Sequence, residues 1–174
     1  MRAFVAVVSL LLAGCAGMST VSNTDNTARA ELKSASGQPV GTATLTQLSN
    51  AVRVVLEVQG LPPGQHGVHV HTVGKCDPPD FTSAGAHFNP LGRQHGALNP
   101  QGAHAGDLPN ITVGQDGKGR LESTTELFTL GSGQTSIFDA DGSALVVHAA
   151  PDDFKTDPTG NSGARIACGV IVKK

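Results

Sequence analysis

Ala51-Val52-Arg53-Val54-Val55-Leu56-Glu57-Val58-Gln59 decides the fold class. Val52, Val54, Leu56 and Val58 fall on one side of an extended chain, and Arg53, Val55, Glu57 and Gln59 on the other. That two-residue period is the mark of a half-buried strand. A Ser49-Asn50 turn precedes it and Gly60-Leu61-Pro62-Pro63-Gly64 breaks it. Working outward, residues 28–35 alternate in the same way and Gly37-Gln38-Pro39 turns them. Residues 40–48 follow, rich in the Val, Thr and Leu that suit a pleated surface. Residues 67–71, 110–113, 120–127, 143–148 and 164–172 supply further short strands, with Gln115-Asp116-Gly117-Lys118-Gly119 as a hairpin-type turn. The chain carries 22 Gly and 10 Pro and no long helical period. The pattern therefore predicts an all-β, antiparallel eight-stranded barrel or sandwich. Residues 72–109 and 149–163 interrupt the rhythm, and long ordered loops in a compact domain usually carry function.

The front of the chain reads as an address. Arg2 supplies one positive charge, and residues 3–12 form an apolar run broken only by Ser9. The run is too short to span a bilayer and suits a secretory leader. Leu12-Ala13-Gly14-Cys15 resembles a bacterial lipobox, in which the Cys is lipidated and becomes the first mature residue. Residues 1–14 are thus expected to be a signal peptide, 15–27 a lipidated Cys15 with a polar tether, and 28–174 one domain. An ordinary leader with an incidental Cys is the alternative. The implied location is the periplasmic side of a bacterial cell envelope, with membrane contact through the N-terminal lipid alone. Loss of the leader removes one of 12 basic residues, leaving 11 against 14 acids and a net charge of −3. The absence of Lys/Arg runs, Trp and Tyr argues against a nucleic-acid partner. With Cys15 lipidated, Cys76 and Cys168 remain, and export makes a disulfide between them the leading reading over two free thiols.

Six of the seven histidines fall at spacings suited to metal ions. On a strand, residues i and i+2 share a face, so His69 and His71 project together, and Val68 and Val70 face the opposite side. His148 ends the apolar run Ala144-Leu145-Val146-Val147 and can complete the same ion from a neighbouring strand. His87, His95, His104 and Asp107 lie within 21 residues of loop, and three imidazoles with one carboxylate make a closed zinc shell. No Cys or Met joins either set, so the donors suit a redox copper of imidazole type better than a blue-copper site.

These segments are similar to copper/zinc superoxide dismutases. The resemblance rests on Gly67–His71, on Thr82-Ser83-Ala84-Gly85-Ala86-His87-Phe88-Asn89-Pro90, on His104-Ala105-Gly106-Asp107-Leu108-Pro109-Asn110, on Leu145-Val146-Val147-His148 and on Gly160-Asn161-Ser162-Gly163-Ala164-Arg165-Ile166-Ala167-Cys168-Gly169. It implies a Greek-key form of the barrel. It implies one copper per subunit on His69, His71, His87 and His148, and one zinc on His87, His95, His104 and Asp107, with His87 shared. It further implies that Asp152 links a copper histidine to a zinc histidine, that Cys76 and Cys168 form a disulfide, and that Arg165 stands beside the copper. The implied activity converts superoxide to O2 and hydrogen peroxide, with copper alternately reduced and oxidised, His87 cycling a proton and Arg165 guiding the anion. A non-enzymatic copper- and zinc-binding lipoprotein of the envelope would share every ligand. Lys75 and Lys155 are further candidates for steering, and Thr159 for the channel wall. His66 has no ligand role in the family and is expected at the surface. The resemblance leaves a homodimer open. Asp77-Pro78-Pro79-Asp80-Phe81 lengthens the first long loop, as in secreted bacterial members, and the second loop is short beside cytosolic eukaryotic members.

Overall fold

A computed structural model describes residues 26–174. The leader, the lipobox and Cys15 lie outside the described residues. Eight strands form in chain order: β1 Thr27–Ser34, β2 Pro39–Gln47, β3 Val52–Val58, β4 Gly64–His71, β5 Asp107–Val113, β6 Gly119–Thr125, β7 Ala144–His148 and β8 Arg165–Lys173. All pairings are antiparallel, and the spatial order β1-β2-β3-β6-β5-β4-β7-β8 closes into a barrel. β3 beside β6, with β5 and β4 following, is a Greek-key order. Closure leaves no unpaired sheet edge. Strand β3 keeps the expected alternation, with Val52, Val54, Leu56 and Val58 buried.

The barrel interior is filled by small and branched side chains, among them Ala30, Leu32, Leu45, Leu56, Ile111 and Leu145, all without exposure. Val68 and Val70 enter this core from β4, which turns His69 and His71 to the outside of the barrel. A second, smaller cluster lies under the first long loop: Phe81 and Ala84 from the loop pack on Ala144 and Val146 of β7 and on Cys168 of β8. The disulfide Cys76–Cys168 ties that loop to β8 across a separation of 92 residues.

Two departures from the sequence reading matter. β5 begins at Asp107, three residues earlier than expected, and Asp107 pairs with His69. Pro109 is tolerated because β5 pairs with β6 only at Val113 and Gly119, so the N–H that Pro109 lacks is not needed on that side. Residues 128–142, to which the sequence reading gave no element, plug the barrel with Phe128, Leu130 and Ile137. Gln47 holds the plug, its Oε1 accepting from Thr129 Oγ1 and from the Leu130 N–H, each at 2.8 Å.

Candidate metal centre

The centre sits outside the barrel wall, between β4 and β7 below and the two long loops above. β4 supplies His69 and His71, and its pairing with β7 sets them opposite Val146 and Ala144, beside His148. The first loop is drawn back onto the end of β4 by main-chain bonds: Thr72 N–H to Ala86 O, Phe88 N–H to Val70 O and Val70 N–H to Gly106 O, all at 2.8–2.9 Å. These bonds deliver His87 opposite His71. Its ring stacks on that of His69, centroids 3.8 Å apart.

Four of the buried imidazoles spend one nitrogen on a fixed acceptor. His71 Nδ1–H donates to Gly85 O at 2.9 Å and His148 Nδ1–H to Gly163 O at 3.1 Å. His69 Nε2–H donates to Asp152 Oδ2 at 2.7 Å, and His95 Nε2–H to Asp152 Oδ1 at 3.0 Å. Carbonyls and carboxylates only accept, so the opposite nitrogens carry lone pairs. The result is a group of inward-facing acceptors. His71 Nε2 and His148 Nε2 face each other at 3.4 Å with no proton to share. His69 Nδ1, His87 Nε2 and His95 Nδ1 are buried without a hydrogen-bond partner. His95 Nδ1 does lie 3.1 Å from Asp107 Oδ2, a contact poorly aligned for a hydrogen bond. Buried lone pairs aimed at one another are unfavourable unless a cation lies between them. The donors therefore fit metal.

Two donor groups result. Atoms of His69, His71, His87 and His148 lie within 4.8 Å of one another, as do atoms of His69, His87, His95 and Asp107. The second group includes His69 where the sequence reading placed His104. His69 belongs to both groups because its ring stacks on that of His87. His104 Nδ1 is 3.5 Å from both His87 Nδ1 and Asp107 Oδ1, at the edge of the second group. Asp107 is built in firmly: Oδ2 accepts the N–H of Gly96 at 2.9 Å and of His104 at 3.0 Å, and Oδ1 lies 3.1 Å from His87 Nδ1.

Charge follows this geometry. Burial pushes His71 down to about 2, His148 to about 3 and His87 to about 4, and lowers His69 as well. Burial also acts to lower His95, but the facing carboxylates of Asp107 and Asp152 outweigh it and raise the ring to about 9. Burial opposes ionisation of Asp107 and Asp152 too. Hydrogen bonds from their histidines override it and hold both carboxyls far below the ordinary range. Neutral imidazoles and ionised carboxylates are the forms that bind metal, so His69, His71, His87, His148 and both carboxylates are ready for it, whereas His95 must first shed a proton.

Asp152 lies where the resemblance implied, between His69 and His95. Its own backbone is clasped by Asn110, which donates to Asp152 O at 2.9 Å and accepts its N–H at 2.8 Å. Gly160, at φ +61°, passes so close that a Cβ would collide with Asp152 Oδ1 and His95 Nε2. Neither Asn110 nor Gly160 carries a chemical signal in the sequence, because their roles depend on contacts across the fold. Arg165 opens β8 opposite His148. Its guanidinium donates to Phe81 O and Gly85 O, each at 2.6 Å.

A cleft of about 690 Å³ reaches the first donor group, walled by His71, His87, His148, Arg165, Arg93 and Thr159 among others. Lys75 and Lys155 do not line it; the second cation on its wall is Arg93. The backbone of Arg93 is held by Asn89, which donates to Arg93 O at 2.7 Å and accepts its N–H at 3.0 Å. His66 is a correction: it is 3% exposed, not a surface residue. β4 changes register between His66 and Val68, and the His66 ring nitrogens each lie 2.8 Å from a carbonyl, His148 O and Pro62 O.

The family model described as copper/zinc superoxide dismutase (SODC) matches residues 39–171. The copper–zinc superoxide dismutase 1 of Aquifex aeolicus (strain VF5) is 47% identical over 144 residues, covering 82% of this chain and 85% of that protein. That of Caulobacter vibrioides is 46% identical over 147 residues, covering 83% and 84%. The crystal structure of a SOD-like protein from Bacillus subtilis superposes with a TM-score of 0.79 at 40% identity, covering 83% of this chain and 97% of that one.

Proposed function

Because the chain belongs to the copper/zinc superoxide dismutase family, we propose that it dismutates superoxide at a copper ion held by His69, His71, His87 and His148. A zinc ion beside it would be held by His87, His95 and Asp107, with His104 at the edge of that group as the fourth ligand. The observation that carries this reading is the set of unpartnered buried nitrogens, His69 Nδ1, His87 Nε2 and His95 Nδ1, with the facing Nε2 atoms of His71 and His148. When bound, copper supplies a one-electron couple and zinc a fixed positive charge beside it. Two superoxide anions and two protons become one O2 and one hydrogen peroxide, one anion giving up the electron that the other receives.

The chain's own residues account for the rest. Arg165 draws the anion into the cleft and orients it, since a guanidinium is always charged and its position is set by two carbonyls. Arg93 adds a second positive charge on the cleft wall, so a protein of net negative charge still presents a cationic approach. His87 Nε2 is the atom that takes up and returns a proton. In the metal-free fold burial holds His87 at about 4, so the ring rests neutral, the form that can take up a proton. Asp152 keeps His69 and His95 in one tautomer and at one ring angle, coupling the two halves. A purely metal-storing protein would need these donors but would leave the guanidinium and the open cleft without a role.

Purified protein loaded with both metals is expected to hold one copper and one zinc per chain and to dismutate superoxide rapidly. His69→Ala is expected to lose copper and activity while keeping zinc; activity that survives this change would sink the copper assignment. A place at the bacterial envelope through a lipid on Cys15 belongs to the same reading and rests on Leu12-Ala13-Gly14-Cys15 alone. Recovery of the intact chain in the membrane fraction is the check.

A further inference from the structure

The histidines of the centre differ in what steadies their outer nitrogens. His71 and His148 use main-chain carbonyls, and His69 and His95 share Asp152. His104 uses none of these. Its Nδ1 faces the second donor group, and its Nε2, across the ring, lies 3.6 Å from Asp157 Oδ1. The same oxygen accepts the backbone N–H of His95 at 2.5 Å. One carboxylate oxygen on the second long loop thus meets both histidines that close the first. Among the described residues, Asp157 is also the one acid on the cleft wall. An idle carboxylate there would repel an anionic substrate. Accepting a main-chain N–H and facing His104 Nε2, its charge is engaged within the protein.

We propose that Asp157 is a positioning residue for the zinc half. It holds His104 through Nε2, so that Nδ1 faces Asp107 and His87, and it locks the two long loops together at that point. The proposal rests on the zinc assignment made above. An outer carboxylate on a ligating imidazole fixes its tautomer and ring angle, and losing one typically weakens metal binding about ten- to a hundredfold.

Two variants separate this role from that of a simple loop tether. Asp157→Asn keeps an acceptor oxygen for the His95 N–H but loses the charge that faces His104, whereas Asp157→Ala loses both. Zinc affinity is read by chelator competition, and cobalt(II) placed in the zinc half is read by its electronic absorption. Asp157→Asn is expected to weaken zinc binding roughly tenfold or more and to alter the cobalt bands. Copper affinity and the unfolding temperature of the metal-free protein are expected to stay as in the unaltered chain, and Asp157→Glu to recover part of the zinc affinity. Unaltered zinc affinity and cobalt bands in Asp157→Asn, with a loss only in Asp157→Ala, would reduce Asp157 to a tether and overturn the proposal. An unaltered chain that takes up no zinc would overturn the assignment of the zinc half, and this proposal with it.

Discussion

At position 165 a permanent charge is anchored by two main-chain carbonyls. The carbonyls of Phe81 and Gly85 fix the guanidinium of Arg165, and Gly85 O also accepts from His71, so one carbonyl positions both the cation and a metal donor. Arg165→Ala is expected to keep both metals, to lower kcat/KM by on the order of ten- to a hundredfold and to flatten its dependence on salt. Arg165→Lys should fall between the two, since an ammonium keeps the charge and loses the rigid fork. Stopped-flow dismutation across a salt series is the measurement, and unchanged kinetics in Arg165→Ala would remove this residue from the site. His66 shows the limit of reading residues singly. Its lack of a ligand role suggested the surface, yet it is buried, at a point where β4 changes register before Val68. The carbonyls of Pro62 and His148 that make burial acceptable were not legible, because they come from a turn and from β7.

The elements were legible to the extent that their pattern is local. All eight strands were foreseen from alternation and turn residues, with ends displaced by a few positions, since terminal residues answer to partners as well as to propensity. Residues 128–142 escaped because Phe128, Leu130 and Ile137 follow no period: they are held by Gln47 and by packing into the core. Ile137, without exposure, is the deepest of the three. Ile137→Ala is expected to cost about 2–5 kcal/mol of stability, measured by denaturant unfolding of the metal-free protein. A cost below about 1 kcal/mol, typical of a surface site, would mean that this segment does not complete the core.

For the molecule as a whole, the centre makes stability depend on pH in both directions. In the metal-free fold, burial holds His71 at about 2, His148 at about 3 and His87 at about 4, against an ordinary value of 6.5. On unfolding, these rings take up protons below pH 6.5, so the unfolded chain binds more protons and stability falls as pH drops from 6.5 towards 4. His95 acts the other way. Its ring is raised to about 9, so its contribution is complete below 6.5 and is lost as pH rises through 9. With His69, also lowered by burial, four rings oppose one, so the fall should be steeper on the acid side, on the order of 1–2 kcal/mol per ring between pH 6.5 and 5. Thermal unfolding of the metal-free protein from pH 4.5 to 9.5 is expected to peak near pH 7, and a flat profile between 5 and 7 would contradict neutral buried rings. Bound copper and zinc are expected to raise the unfolding temperature throughout the neutral range, because they bind the folded donors.

Composition and period sufficed for the β class, the strand positions and the outward turn of His69 and His71, because a two-residue repeat is a local property of an extended chain. The donor types were equally plain, since imidazole and carboxylate announce their chemistry wherever they stand. Only the tertiary structure decided which nitrogen of each ring is free, for that depends on acceptors distant in sequence: Asp152 for His69 and His95, Gly163 for His148, Gly85 for His71. The place of Asp107 opposite His69, the burial of His66 and the approach of Asp157 to His104 were decided there too. Closing a barrel and laying two loops over one wall brings together groups that no spacing along the chain could foretell.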